Sequence, residues 1–125
     1  MTEQDVRSQL VRFDIPCVIL DRAIAFYSAV LGCEVHREEG DGFSLGIFPH
    51  GGQAIGGCLA VMPNNPPSQT GVLIYLNCDG RLEEAVAEVE PNGGTIQQAI
   101  HTIGPHGRRA VVLDSEGNRV ALHSN

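Results

Sequence analysis

The stretch Asn64-Asn-Pro-Pro-Ser68 cannot lie inside a sheet, because proline lacks the amide donor that a strand ladder needs. The residues on either side of it read as the same succession of elements. Before it, Leu10 to Pro16 alternates apolar and polar, as a half-buried strand does. Leu20, Ile24, Tyr27 and Leu31 then recur on one face of a helix, with Asp21 in its first turn and Gly32 as its stop. Three strands follow: Glu34 to Arg37, Phe43 to Phe48 and Ala54 to Met62, with turns at Glu39 to Gly42 and at His50-Gly-Gly52. After the linker, Gly71 to Cys78 is an apolar strand, and Asp79 is placed to cap a helix whose face is Leu82, Ala85, Val86 and Val89. Pro91-Asn-Gly-Gly94 ends that helix. Thr95 to Ile103, Arg109 to Leu113 and Arg119 to His123 are three more strands, separated by turns at Gly104 to Gly107 and Asp114 to Asn118.

The order is therefore βαβββ twice, with a period of roughly 55–60 residues. Unit one spans about 10–62, the linker about 63–70 and unit two about 71–124, all within one domain over 1–125. One helix covers only one face of a four-stranded sheet. Two such units paired give an α+β fold whose sheets form a cupped, partly open mixed β-barrel, and its concave face is the expected pocket.

Composition narrows the partners. The formal charge is −7 and no Lys/Arg cluster offsets it, so nucleic acid is not expected as a partner. The polar opening MTEQDVRSQL is not read as an export signal, and no apolar run approaches the roughly 20 residues that span a membrane. The expected location is the cytoplasm. Cys17, Cys33, Cys58 and Cys78 form no C-x-x-C pair and read as buried free thiols.

Two motifs carry a family resemblance. Leu20-Asp-Arg-Ala-Ile-Ala-Phe-Tyr27 followed by Leu31-Gly32, and the closing Asp114-Ser-Glu-Gly-Asn-Arg-Val-Ala-Leu-His123, resemble the vicinal oxygen chelate superfamily. That group contains glyoxalase I, the bleomycin-resistance and fosfomycin-resistance proteins and the extradiol dioxygenases. Its closing motif is usually D-P-x-G-N-x-x-E-L, and the resemblance runs from about Val11 to His123. It implies the glyoxalase/bleomycin resistance-like fold. Enzymes of the superfamily hold a divalent metal through His, Gln or Glu on the first and last strands of each unit, and the metal serves as a Lewis acid. Carried over to this chain, those positions fall on Arg12, Leu73 and Ala121. The last strand of unit one, Ala54 to Val61, holds no carboxylate, His or Gln. A guanidinium, an isobutyl group and a methyl group offer a cation no donor. The expectation is no metal and no cofactor.

Three functions follow from the resemblance. The first is a metal-independent binder of a small molecule. The second is a glyoxalase-like lyase, isomerase or dioxygenase-type enzyme whose metal is held by unexpected residues. The third is an accessory metabolite-sensing or interaction domain. A homodimer is implied for each.

Side chains two apart on a strand share a face, which gives a candidate cleft lining of Arg12, Asp14, Leu73, Tyr75, Asn77, Ala121 and His123. The plainer reading of Arg12 and Asp14 is a partly exposed ion pair at the cavity mouth, and that of His123 a strand end that closes the barrel. His50 and His106 sit in Pro-His-Gly loops that close over a ligand or merely turn. A metal site drawn from His36, His50, His101 and His106 would need coincidence in space. Tyr27 reads as core. Gly56-Gly57 reads either as close ligand approach or as tight packing against the helix of a neighbouring unit.

Overall fold

The computed structural model describes residues 7–125, so residues 1–6 of the polar opening segment, read above as no export signal, lie outside the described residues. The chain forms β1 (Arg12–Pro16), α1 (Leu20–Leu31), β2 (His36–Gly40), β3 (Phe43–Ile47), β4 (Gly56–Ala60), β5 (Tyr75–Asn77), α2 (Leu82–Ala87), β6 (Thr95–Thr102), β7 (Arg108–Leu113) and β8 (Arg119–Ser124). Short 3-10 turns occupy Glu90–Asn92 and Gly104–His106. There are two four-stranded mixed sheets, ordered β1-β4-β3-β2 and β5-β8-β7-β6, and neither closes into a barrel. In each, the first strand of the unit runs parallel to the last and the other pairs are antiparallel. The fold class expected from the repeat is the one observed.

Register makes the repeat quantitative. Asp14 faces Cys58 across β1 and β4, and Tyr75 faces Ala121 across β5 and β8. Cys17 N–H donates to Ala60 O at 2.9 Å where Cys78 N–H donates to His123 O at 2.7 Å. Arg12 thus corresponds to Leu73, Asp14 to Tyr75, Cys17 to Cys78 and Cys58 to Ala121.

Each helix covers its own sheet, and the two helices touch. Ala23, Phe26, Tyr27 and Val30 of α1 pack with Ile15, Val35, Phe48 and Leu59. Leu82 and Ala85 of α2, with Val89, pack with Leu76, Ala110, Val112, Val120 and Leu122, and all of these form one continuous core. Phe26, Tyr27 and Phe48 meet edge to face at 5.0 and 5.5 Å between centroids, the geometry that their quadrupoles favour. Gly57 lies beneath Phe13: a Cβ there would come within 2.5 Å of the ring. Gly57 is therefore a site of tight packing, but against the ring of the neighbouring strand and not against the helix of the other unit.

Several boundaries differ from expectation. The strand expected over Gly71 to Cys78 contracts to Tyr75–Asn77, because the amide of Arg119 on β8 bonds Ser68 O at 3.2 Å and leaves the stretch before Ile74 without a ladder partner. Asp79 does not cap α2. The residue before the helix is Arg81, and the Asp79 carboxylate instead accepts from Asn125 N at 2.8 Å. β2 runs on through Glu39 and Gly40, so the turn is Asp41-Gly42 alone. Gly32 is the left-handed cap of α1 at φ 64°, as its position after the apolar stripe suggested.

Candidate functional site

The closing motif Asp114 to Asn118 is not on the open face of the sheet. It is a clasp between the units. Asp114 Oδ2 accepts from Tyr27 Oη at 2.5 Å, and its Oδ1 accepts the amides of Glu116 and Asn118. Asn118 Nδ2 donates to Pro16 O at 2.7 Å. Glu116 Oε1 accepts the amides of Val18 and Ile19 at 2.8 and 2.7 Å, at the start of α1, and Arg22 donates to Oε2 at 2.7 Å. Burial would raise the Glu116 carboxyl, but Arg22, the Ile19 amide, Ser115 and the Val18 amide together hold it down to about 2. Burial, with Asp114 beside it, pushes the Tyr27 phenol well up. Tyr27 is core, as expected, with its hydroxyl satisfied. At the other end of α1, Arg81 donates to Val30 O at 2.6 Å and places its positive charge where the helix dipole is negative.

The seven residues expected to line one cleft fall into three places. Arg12 and Asp14 form an exposed pair at 3.8 Å, the ion pair of the plainer reading, but they line neither the cavity between the units nor the one on the β5–β8 sheet. Cys58 lies between them, and its thiol donates to Asp14 Oδ1 at 3.1 Å. Burial and the Asp14 carboxylate push that thiol up, so it stays protonated. All four cysteines are free, and Cys33 is only half-buried, not buried as expected. Leu73 and Asn77 line an apolar cavity of about 860 Å³ between the units, with Phe13, Phe48, Ile55 and Ile74. Asn77 Oδ1 is engaged locally by the Asp79 amide at 2.9 Å. Tyr75 and His123 face a second cavity of about 560 Å³ on the open face of the β5–β8 sheet, and Ala121 is fully buried beside Tyr75. Tyr75 belongs to the walls of both cavities.

Convergent polar chemistry is found at the second cavity, which Ile103, His106 and Arg109 complete. Arg109 donates from Nη1 to the Tyr75 hydroxyl and from Nε to His101 Nε2 at 3.0 Å, and its guanidinium lies 5.8 Å from the Tyr75 ring centre. His101 Nδ1–H donates to Ala99 O at 2.8 Å, which fixes the tautomer that can accept from Arg109. His123 Nε2–H donates to His106 O at 2.6 Å, and the His123 ring stands edge-on to Tyr75 at 5.9 Å. Sequence reasoning assigned no role to His101 and did not consider Arg109 or Ile103. The signal was present: the short turn Asp114 to Asn118 sets Leu113 opposite Arg119, and counting back puts Arg109 opposite His123.

The residues do not fit the metal that the fold implies. Arg12, Leu73 and Ala121 have no donor, and the fourth equivalent position holds Cys58, whose thiol is committed to Asp14. The four histidines His36, His50, His101 and His106 do not gather, and among the described residues no cluster of three or more His, Cys, Asp or Glu could hold an ion. No helix of the described residues is long and apolar enough to cross a membrane.

Residues 9–122 match the family model described as Glyoxalase/Bleomycin resistance protein/Dioxygenase superfamily. The chain belongs to that superfamily. Among solved structures it is similar to a glyoxalase/bleomycin resistance protein from Albidiferax ferrireducens T118, with TM-score 0.73, 16% identity and 94% of this chain and 99% of that one covered. It is also similar to TnmS3, an antibiotic binding protein from Streptomyces sp. CB03234, with TM-score 0.67, 20% identity and coverage of 94% and 96%. The genomically encoded fosfomycin resistance protein FosX from Listeria monocytogenes matches with TM-score 0.70, 13% identity and coverage of 96% and 95%. No curated protein matches. At such identities these superfamily relatives share the fold with this chain, and the fold hosts many activities.

Proposed function

We propose that this protein is a metal-independent binder of a small molecule on the open face of the β5–β8 sheet. The observation that carries this reading is the set Tyr75, Arg109 and His123 around an apolar-walled hollow of about 560 Å³, a volume within the usual range for ligand sites. The donorless positions Arg12, Leu73 and Ala121 argue against the metal chemistry of the superfamily's enzymes. TnmS3, an antibiotic binding protein, offers a precedent for binding on this fold. We further propose a cytoplasmic homodimer. Leu10, Val11 and Val72 are exposed apolar groups beside the edge strands β1 and β5, and burying them against a second copy would offset their hydration.

Elemental analysis of untagged protein, with thermal shift against Mn, Fe, Co, Ni and Zn, tests the reading. The expected result is below about a tenth of an equivalent of metal and less than ~1 kcal/mol of stabilisation from any of them. Near one equivalent with a clear shift would overturn it in favour of a glyoxalase-like lyase with a site of its own. Light scattering on the same sample reads the dimer.

A further inference from the structure

We infer that the ligand of this face is a small aromatic carboxylate, held by Arg109. This rests on the binding reading above. The chain has 15 acidic residues against 8 basic ones, so an arginine would ordinarily find a carboxylate. Four of the eight do, Arg12 with Asp14, Arg22 with Glu116, Arg37 with Asp21 and Glu39, and Arg108 with Glu83, while Arg81 and Arg119 donate to the backbone carbonyls of Val30 and Gly71. Arg109 is one residue from Arg108 and points to the opposite face of the sheet. Among the described residues it has no carboxylate within 4.0 Å. Two neutral acceptors orient it instead, the Tyr75 hydroxyl and His101 Nε2. Neither neutralises its charge, and both hold the fork in place, so its ordering entropy is already spent before a ligand arrives.

The remaining groups complete the specification. The Nη2 end of Arg109 makes no hydrogen bond among the described residues, and planar guanidinium edges match carboxylate oxygens. The Tyr75 oxygen accepts from Arg109, which leaves its own O–H to donate to an anion. No acidic residue lines the cavity, so nothing there repels one. Ile103 and the Tyr75 and His123 rings provide apolar and aromatic wall, which suits a flat apolar body. His123 Nε2 is occupied by His106 O, which leaves Nδ1 as an acceptor for a ligand hydroxyl.

The test titrates isotope-labelled full-length protein with 4-hydroxybenzoate, 4-hydroxybenzamide and acetate, following the amides of residues 101–109 and 121–123. The acid is expected to bind about tenfold or more tightly than the amide, and acetate more weakly than either aromatic probe. Arg109→Gln should abolish the preference for the acid while leaving the amide within about twofold, a pattern that unfolding would not produce. Arg109→Lys, which keeps the charge and loses the fork, should retain part of it. Arg108→Gln, on the other face, should change neither. Equal binding of acid and amide overturns the carboxylate and leaves the binding reading standing. Acetate binding as tightly as the aromatic acid overturns the aromatic part. No shift from any probe at millimolar concentration overturns both.

Discussion

Glu116 is the side chain on which the two units depend most directly. It is buried, it caps α1 through two backbone amides, and it pairs with Arg22. Its carboxyl is held at about 2 in the folded protein against an ordinary 4.5. A depressed folded value means that the stabilisation is complete above the ordinary carboxylate range and is lost as pH falls towards 2. Urea unfolding from pH 7 to pH 2 should therefore show stability falling through the acid range. Glu116→Gln should remove about 2–3 kcal/mol at pH 7 and flatten that acid limb. An unchanged limb would mean that another carboxylate dominates. The family's closing motif can thus be accounted for by structure: Asp114 and Glu116 spend their oxygens on Tyr27 and the start of α1, and the Asn118 side-chain amide nitrogen donates to Pro16 O.

At the scale of elements, close approach between neighbouring strands explains a residue that chemistry alone left open. Gly57 on β4 has the Phe13 ring of β1 where a Cβ would be. Gly57→Ala should lower stability by about 1–3 kcal/mol, as overpacking does. Adding Phe13→Leu to it should recover part of the loss, and thermal melts of the single and double variants check this. No recovery would point to the glycine backbone rather than to the ring. The β7–β8 hairpin shows the converse case. Its turn sets the register, the register sets the face, and Arg109, Ala121 and His123 follow from it without any long-range information.

At the scale of the whole molecule, the units are joined by one core and by polar clasps at both ends of α1. They should unfold together. Far-UV dichroism and resolved methyl signals from each unit should trace a single denaturation transition. Arg81→Ala removes the bond to Val30 O and should lower the midpoint for both units at once, at a cost of about 1 kcal/mol. Two separated transitions would show that the clasps matter less than the separate sheets.

The order of elements, the α1 stripe and its glycine stop, the proline-bearing linker and the repeat are local matters, set by side-chain periodicity and backbone chemistry, and all were legible in the chain. So was the lack of donors at Arg12, Leu73 and Ala121. Only the tertiary structure decided which residues share a cavity. Alternation placed Tyr75 and Asn77 on one face of a strand, but the Asp79 amide engages Asn77 and an edge position opens Tyr75 to two hollows. Arg12 and Asp14 lie on the other sheet, separated from Tyr75 by how the units pack. That packing depends on Glu116, Asn118 and Arg81 reaching partners 97, 102 and 51 residues away in sequence, and such contacts leave no periodic trace there.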